Sequence, residues 1–273
     1  MRKGVGPLLR LALLLAFAAL ATAAIALADF GGSDDIHVTA VSDGTSISGI
    51  HPTGEGLPLV GASGTVGTGD YASALKTYHD SGNYMQDFAA VDRKAKNSLG
   101  FRLFFGSRRC PRETIVAFHR GCKRPALVLD IDETSLSNYA NLAATNFTNT
   151  TAQLAIGVIG ANEPVLEPTL HLYNFAKSHG VAVFFITGRP ASIPLVRTQT
   201  EANLHSAGYQ NWNGLILNPT IGGSAIPYKS GERAKIEQQG FDIVANVGDQ
   251  ESDLRGGHAD RGFKLPNPYY FIG

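Results

Sequence analysis

Cysteine is nearly absent from this sequence, and its scarcity excludes several kinds of site. The chain of 273 residues contains only two cysteines, Cys110 and Cys122, which are too few for a disulfide framework. Neither begins a Cys-x5-Arg phosphatase loop, because Val116 and Val128 stand where such a loop needs arginine. Two interpretations stay open: one disulfide that closes a short loop, or two unpaired thiols.

Net charge is also missing. Lys and Arg together number 23, as do Asp and Glu, so the formal net charge is +0 at pH 7. A chain without a net field gives no electrostatic reason to expect a nucleic acid or an anionic membrane as its partner. A content of 44% hydrophobic and 17% charged residues is typical of an ordinary globular protein.

Residues 1–28 are predicted to be a signal peptide rather than part of the fold. Arg2, Lys3 and Arg10 flank an apolar run that ends in Ala26-Leu-Ala28, which is typical of a cleavage site before Asp29. The run approaches the length that spans a bilayer, so an uncleaved anchor is the alternative. Either interpretation places the folded part outside the cytoplasm, secreted or in the cell envelope.

Composition divides the remaining chain into three segments. Residues 29–68 are rich in Gly, Ser and Thr and are predicted to be a flexible linker. Residues 69–124 are predicted to be an N-terminal helical segment whose pattern is broken around Gly82. Its apolar face is predicted to comprise Tyr71, Leu75, Tyr78, Met85, Phe88 and Val91. Residues 125–273 form the predicted core domain.

The pattern of the core domain predicts a doubly wound α/β fold. Continuous apolar runs indicate strands that are buried on both faces of a mostly parallel, Rossmann-like sheet. The predicted strands are 126–131, 181–186, 214–217 and 242–247. Helices are predicted between them, at 169–180, from about 193 to 208 and at about 231–240, each ending at or near a glycine.

Polar side chains follow these strands, and ligands bind beyond the carboxyl ends of parallel strands. The candidates are Asp130 and Asp132 after the first strand, Thr187, Gly188 and Arg189 after the second, Lys229 before the third helix, and Asp249 and Asp253 after the fourth strand. Several buried carboxylates need a cation, and hard oxygen ligands suit Mg²⁺. A carboxylate can also attack phosphorus, and a second can act as acid and base.

These segments resemble the four signatures of the haloacid-dehalogenase (HAD) superfamily, in the same order. The matching segments are Leu129-Asp-Ile-Asp-Glu-Thr134, Thr187-Gly-Arg189, Lys229 and Gly248-Asp249 to Asp253. The Asp-x-Asp-Glu-Thr form, Tyr228-Lys-Ser230 and Asn246-Val-Gly-Asp-Gln250 are similar to subfamily IIIB. That subfamily includes plant acid phosphatases, vegetative storage proteins and bacterial class C acid phosphatases.

The resemblance implies a role for each of these residues. Asp130 would be nucleophile and metal ligand, and Asp132 would be acid/base and offer its backbone carbonyl to the metal. Asp249 would be the third ligand and Asp253 a supporting residue, while Thr187, Gly188 and Lys229 would bind phosphate. Two roles stay open for Arg189: contact with the leaving group, or a structural ion pair. Asn138 is either a turn residue or a site residue.

The expected function is that of an exported, Mg²⁺-dependent acid phosphatase that hydrolyses small phosphomonoesters through an aspartyl-phosphate. A 5'-nucleotidase-like specificity stays open. The alternatives are a catalytically silent storage or binding protein of the same fold and a phosphotransferase to alcohol acceptors. No cysteine follows the apolar segment, so the lipoprotein anchor of bacterial relatives is not implied.

Signature spacing leaves room for only a minimal cap, formed by residues of about 136–166 and by the N-terminal helices. Tyr139, Phe147 and Tyr173 could stack on a substrate ring beneath it, and core packing is the alternative for each. The sequence identifies neither the natural substrate nor the oligomeric state.

Overall fold

A parallel sheet with helices on both faces forms the centre of the fold. The computed structural model describes residues 38–39, 72–106, 123–148, 157–219 and 225–270. Within them the strands are β1 (Val38–Thr39), β2 (Arg124–Leu129), β3 (Ala182–Pro190), β4 (Gly214–Asn218), β5 (Phe241–Gly248) and β6 (Gly262–Lys264). Their order is β1-β6-β5-β2-β3-β4, and every neighbouring pair is parallel.

The helices precede the sheet and connect its strands. They are α1 (Ala72–Asp80), α2 (Asn83–Gly106), α3 (Tyr139–Ala144), α4 (Glu167–Ser178), α5 (Val196–Ser206), α6 (Ala225–Gln238) and α7 (Glu251–Leu254). No helix in the described part of the chain combines the length and the apolar character that crossing a membrane requires.

Alternation along the strands builds a core on each face of the sheet. Leu127 and Leu129 of β2 join the larger core, which includes residues of α2, α4 and α5. Ala126 and Val128 point the other way, into a smaller core that contains Ile236 of α6. Because both faces are covered, the central strands are mainly apolar, and the predicted doubly wound α/β fold is confirmed.

The predicted break at Gly82 is confirmed, but it changes the phase of the apolar face. Gly82 has a φ of 84° in the turn between α1 and α2. After it, Tyr84, Phe88 and Val91 are buried against the larger core, at the spacing of one helix face. Met85 is 37% exposed, so its assignment to this face was wrong.

Helix α6 begins earlier than its apolar pattern suggests. It starts at Ala225 rather than near Gly231, with Pro227 in its first turn, where proline is tolerated. Lys229 therefore lies inside the helix and not before it, which corrects the predicted placement. Its position one turn into α6 directs the side chain from a rigid element instead of a loop.

Two short strands were not predicted. β6 has three residues and β1 has two, too few for a periodicity to be visible. β1 lies within the predicted linker and pairs with β6 at the edge of the sheet. The remaining residues of that linker, the predicted signal peptide and both cysteines lie outside the described residues.

Candidate functional site

Three aspartates meet at the carboxyl edge of the sheet. Asp130 follows the last residue of β2, Asp249 follows β5, and Asp253 lies in α7. One carboxylate oxygen from each lies within 4.8 Å of the others, and all three residues are buried. Since β2 and β5 are adjacent parallel strands, their ends deliver Asp130 and Asp249 to one place.

Lys229 joins two of these carboxylates. Its Nζ donates to Asp130 Oδ1 at 2.7 Å and also to Asp253 Oδ1. Burial alone would lower the pKa of this ammonium, but the carboxylates of Asp130 and Asp253 raise it above its usual value. Lys229 is therefore a fixed positive charge between the two acids.

Neighbouring donors hold Asp249 in one orientation. Gln250 Nε2 and Asn267 Nδ2 donate to Asp249 Oδ2 at 2.6 and 2.7 Å, and Thr134 Oγ1 donates to Oδ1 at 3.1 Å. Lys264 donates to the Asp249 backbone carbonyl. An aspartate fixed on both oxygens is preorganised to act as a ligand or acceptor.

The acidic group fits a divalent cation with a preference for oxygen ligands. Burial, and then the charge of Asp253, raises the pKa of Asp130 well above its usual value and that of Asp249 to about 6. Burying several carboxylates together is costly unless a cation neutralises them. Three carboxylate oxygens at this separation are the hard donor set that suits Mg²⁺.

Asp132 has different surroundings from Asp130. Its side chain is 26% exposed, and Arg189 contacts both of its oxygens, through Nε at 3.1 Å and Nη2 at 2.8 Å. Asn138 Nδ2 donates to Asp132 Oδ1 at 3.0 Å, which identifies Asn138 as a site residue. Burial opposes ionisation, but the Arg189 charge lowers the pKa of Asp132 below its usual value. The role of its backbone carbonyl as a ligand stays a prediction.

The end of β3 leaves space beside the acids. Thr187 is buried, and its Oγ1 accepts a hydrogen bond from the Arg189 backbone N–H at 3.1 Å. Gly188 is exposed, and an added Cβ there would meet no atom within 4 Å. Phosphate binding by both residues stays a prediction.

Asp253 contacts both the start of α7 and Lys229. Its Oδ2 accepts the Gln250 backbone N–H at 2.8 Å and so caps α7, while Oδ1 pairs with Lys229. Gly248 makes room for it, because a Cβ at this position would lie 2.4 Å from the Asp253 side chain.

Several residues of the site were not found from the sequence. Glu163 is buried against Arg189, and Glu133 accepts from Asn138 N at 2.6 Å and from the Tyr270 hydroxyl. Lys264 is the last residue of β6, a strand too short to predict, and Asn267 lies three residues beyond it; both contact Asp249.

The aromatic candidates divide between the core and the surface. Phe147 and Tyr173 are buried at 0% and 1% exposure, so both pack in the core. Tyr139 is partly exposed and stacks on the ring of His79. Only Tyr139, beside Asn138, stays near the opening of the site.

Comparison with known proteins points to one family. Residues 67–273 match the model described as HAD superfamily, subfamily IIIB (Acid phosphatase). A class C acid phosphatase from Bacillus anthracis, solved with tungstate bound, has the same fold, with a TM-score of 0.53 and 19% identity. The alignment covers 74% of this chain and 86% of that one.

Similar plant proteins include enzymes and storage proteins. Acid phosphatase 1 of Solanum lycopersicum is 37% identical over 155 residues, 55% of this chain and 60% of that protein. The stem 28 kDa glycoprotein of Glycine max is 46% identical over 116 residues, 41% and 44% of the two chains. Vegetative storage protein 1 of Arabidopsis thaliana is 36% identical over 152 residues, 53% and 54%. The chain thus spans about half the length of these relatives.

Proposed function

Because this chain belongs to subfamily IIIB of the HAD superfamily, the acid phosphatases, we propose that it hydrolyses small phosphomonoesters in a Mg²⁺-dependent reaction with Asp130 as nucleophile. The observation that supports the proposal is the buried Asp130 carboxylate, paired with Lys229 and grouped with Asp249 and Asp253. A silent relative would not need an aspartate at position 130.

In the first step an Asp130 oxygen attacks phosphorus and forms an aspartyl-phosphate. Asp132 donates a proton to the leaving oxygen. The Lys229 ammonium, the Thr187 hydroxyl and the Gly188 N–H hold the phosphoryl oxygens, on which negative charge concentrates. An arriving phosphate also raises the pKa of Asp132, because a nearby like charge disfavours the ionised acid, and so prepares it to donate.

In the second step Asp132 accepts a proton from water, which attacks the same phosphorus and frees Asp130. One residue serves as acid and then as base, so it must stay at the same place during both steps. Asp130, Asp249 and the Asp132 backbone carbonyl would hold the cation, with Asp253 as a supporting residue, and the cation would keep Asp130 ionised and draw charge from the phosphoryl oxygens.

The test is release of inorganic phosphate from a panel of phosphomonoesters that includes nucleotides. We expect turnover that EDTA abolishes and that Mg²⁺ restores better than Ca²⁺, which prefers more ligands. Added alcohols would reveal phosphoryl transfer to an alcohol acceptor through the formation of a new phosphate ester. Full activity after EDTA treatment and exhaustive dialysis would remove the cation from the proposal.

Storage without catalysis is the second candidate, and the similarity to a vegetative storage protein favours it. It predicts no phosphate release from any member of the panel at any pH, with or without Mg²⁺. Release that disappears in Asp130→Asn would exclude it.

We also propose that residues 1–28 direct export and are removed, which would place the enzyme outside the cytoplasm. The support is the basic start, the apolar run and the Ala26-Leu-Ala28 ending. Substrates would then be phosphomonoesters outside the cytoplasm.

A further inference from the structure

Glu163 is a buried carboxylate to which the proposed mechanism gives no role. It lies in the segment between α3 and α4, and its side chain is 0% exposed. Its Oε2 accepts from Arg189 Nη2 at 2.8 Å and from Asn203 Nδ2 at 2.7 Å, whereas its Oε1 has no hydrogen-bond partner among the described residues. Burying a carboxylate with one oxygen unsatisfied is costly, so its retention needs a reason.

Arg189 connects this carboxylate to Asp132. Its Nη2 donates both to Glu163 and to Asp132 Oδ1, at 2.8 Å each, and its Nε donates to Asp132 Oδ2. Nη1 donates to Thr200 Oγ1 at 3.0 Å. The guanidinium is engaged on three sides and 2% exposed, which favours the structural ion pair among the two roles that the sequence left open.

The backbone around Glu163 is attached to the loop that carries Asp132. Ser137 N donates to the Pro164 carbonyl at 2.9 Å, and Leu166 N donates to the Ser135 carbonyl at 3.1 Å. The Glu163 side chain and its backbone therefore reach Asp132 by two separate connections. The segment cannot shift without moving the Asp132 loop or the guanidinium.

We propose that Glu163 is a positioning residue, which holds Arg189 so that the Asp132 carboxyl faces the leaving group. The inference rests on the proposed function of Asp132 as acid and base. If Arg189 contacted only Asp132, the two side chains could move together. Hydrogen bonds to Thr200 and Glu163 fix Nη1 and Nη2 of the guanidinium. Proton transfer is sensitive to such displacement, because the acid must lie within hydrogen-bond reach of the leaving oxygen.

Leaving-group dependence separates positioning from a merely structural role. An activated nitroaryl phosphate needs little protonation, whereas glycerol 3-phosphate needs a well-placed acid. For Glu163→Ala we expect kcat/KM, which reports the steps up to formation of the aspartyl-phosphate, to fall at least about tenfold with glycerol 3-phosphate and less than about threefold with the nitroaryl ester. Asn203→Ala should show the same selectivity to a smaller extent, because Glu163 loses one donor and keeps Arg189.

Rescue by a conservative change completes the test. Glu163→Gln keeps an oxygen that can accept from Arg189 and Asn203, so it should stay within about threefold of the wild type with both esters. Glu237→Ala, at a surface contact with His258, is the control for loss of a glutamate. Urea unfolding of every variant identifies those that fail to fold. If Glu163→Ala is among them, the ester selectivity of Asn203→Ala tests the proposal instead.

Three results would overturn the inference: an equal loss of kcat/KM with both esters in Glu163→Ala, no loss of kcat/KM in that variant, or a Glu163→Gln variant as impaired as Glu163→Ala. If the wild type releases no phosphate from either ester, the proposed function fails and the positioning role fails with it. An active wild type whose variants lack selectivity refutes the positioning role alone.

Discussion

Asp130 and Asp132 are two residues apart, yet their surroundings shift their pKa values in opposite directions. Burial and the Asp253 charge raise that of Asp130, while the Arg189 charge lowers that of Asp132 against the effect of burial. Asp130 has a side-chain exposure of 7%, against 26% for Asp132. Different environments suit different tasks: in the proposed mechanism the inner carboxylate is the nucleophile beside the cation, and the outer one exchanges protons with the leaving group and water.

Substitution should separate the two roles. Asp130→Asn should form no covalent phosphate with any substrate, because it loses the nucleophile. Asp132→Asn should keep the nucleophile, so with an activated aryl phosphate it should form the aspartyl-phosphate and then stall. Loss of general acid–base help should cost about 10²–10⁴-fold with poor leaving groups. Trapping of labelled phosphate, mapped to a residue, is the measurement. Phosphate trapped on Asp130→Asn but not on Asp132→Asn would show that the nucleophile and the acid–base residue had been assigned the wrong way round.

Asp92 of α2 is another buried acid, and its burial favours the protonated form. Thr169 Oγ1 lies 2.7 Å from the Thr134 carbonyl oxygen and 3.0 Å from Asp92 Oδ2. One hydroxyl hydrogen is shared between these two acceptors, so it stabilises the Asp92 charge only in part. Burial raises the pKa of Asp92 to about 7, although the Thr169 hydrogen bond opposes the shift.

Stability should therefore depend on pH through Asp92. The unfolded acid has a pKa near 3.9, so the folded state binds the proton more tightly. The resulting stability is complete below about pH 4 and is lost as pH rises through about 7. Asp92→Asn mimics the protonated acid, so from pH 4 to 8 the wild type should lose up to about 4 kcal/mol relative to it. Urea unfolding across this range measures the difference, and a constant difference would contradict the prediction.

At the scale of elements, one arginine of α6 holds the turn that follows α7. Arg233 is 1% exposed, and it donates to the carbonyls of Asp253 at 2.6 Å, Arg255, and Gly257 at 2.9 Å. Gly256 and Gly257 have φ values of 85° and 75°, a left-handed backbone conformation that glycine adopts more readily than other residues. In this conformation the turn presents its carbonyls to Arg233. The guanidinium thus fixes the backbone of the segment that carries Asp253.

Arg233→Met should remove the side-chain donor of the Arg255 and Gly257 carbonyls, whereas the Asp253 carbonyl keeps the donor Asn246 Nδ2 at 2.8 Å. At about 1–3 kcal/mol for each unsatisfied group, the free energy of unfolding should fall by at least about 2 kcal/mol. Lys235→Met is the matched control, since Lys235 lies on the same helix with its side chain 63% exposed. Its effect should stay below about 1 kcal/mol. Equal urea midpoints for the two variants would show that Arg233 does not hold the turn.

At the scale of the whole molecule, cation binding should stabilise the fold independently of catalysis. A ligand that binds only the folded state adds about 2.7 kcal/mol at one hundred times its Kd. We expect Mg²⁺ to raise Tm in calorimetry, and Asp249→Asn to reduce the rise. Asp242→Asn, at a surface pair with Arg102, is the control and should keep it. The same rise in Asp249→Asn would remove Asp249 from the cation site.

Export should change the molecule at its N-terminus. Mass spectrometry of the natively exported protein should give a mature chain that begins at or near Asp29. A protein recovered from the membrane fraction with residues 11–28 intact would instead establish the anchor.

The sequence by itself determined the α/β fold and the strand ends at which Asp130, Thr187 and Asp249 lie. Apolar runs and helix periodicity are local signals, so they place β2 to β5 without knowledge of contacts. The two-residue turn at Gly82 reset the helix phase, and this moved Met85 to the surface. No apolar pattern could predict that change, because it depends on how α2 packs against the sheet.

Only the tertiary structure decided the partners of the acids. Glu163 meets Arg189, Lys264 meets Asp249, and Tyr270 meets Glu133 across separations of 26, 15 and 137 residues. Such pairings depend on where loops cross the carboxyl edge of the sheet, which no spacing along the chain encodes. They were therefore missed, although the aspartates that they support were found. A buried charge pairs with the groups that the fold brings close to it, because water is not present there to replace such a partner.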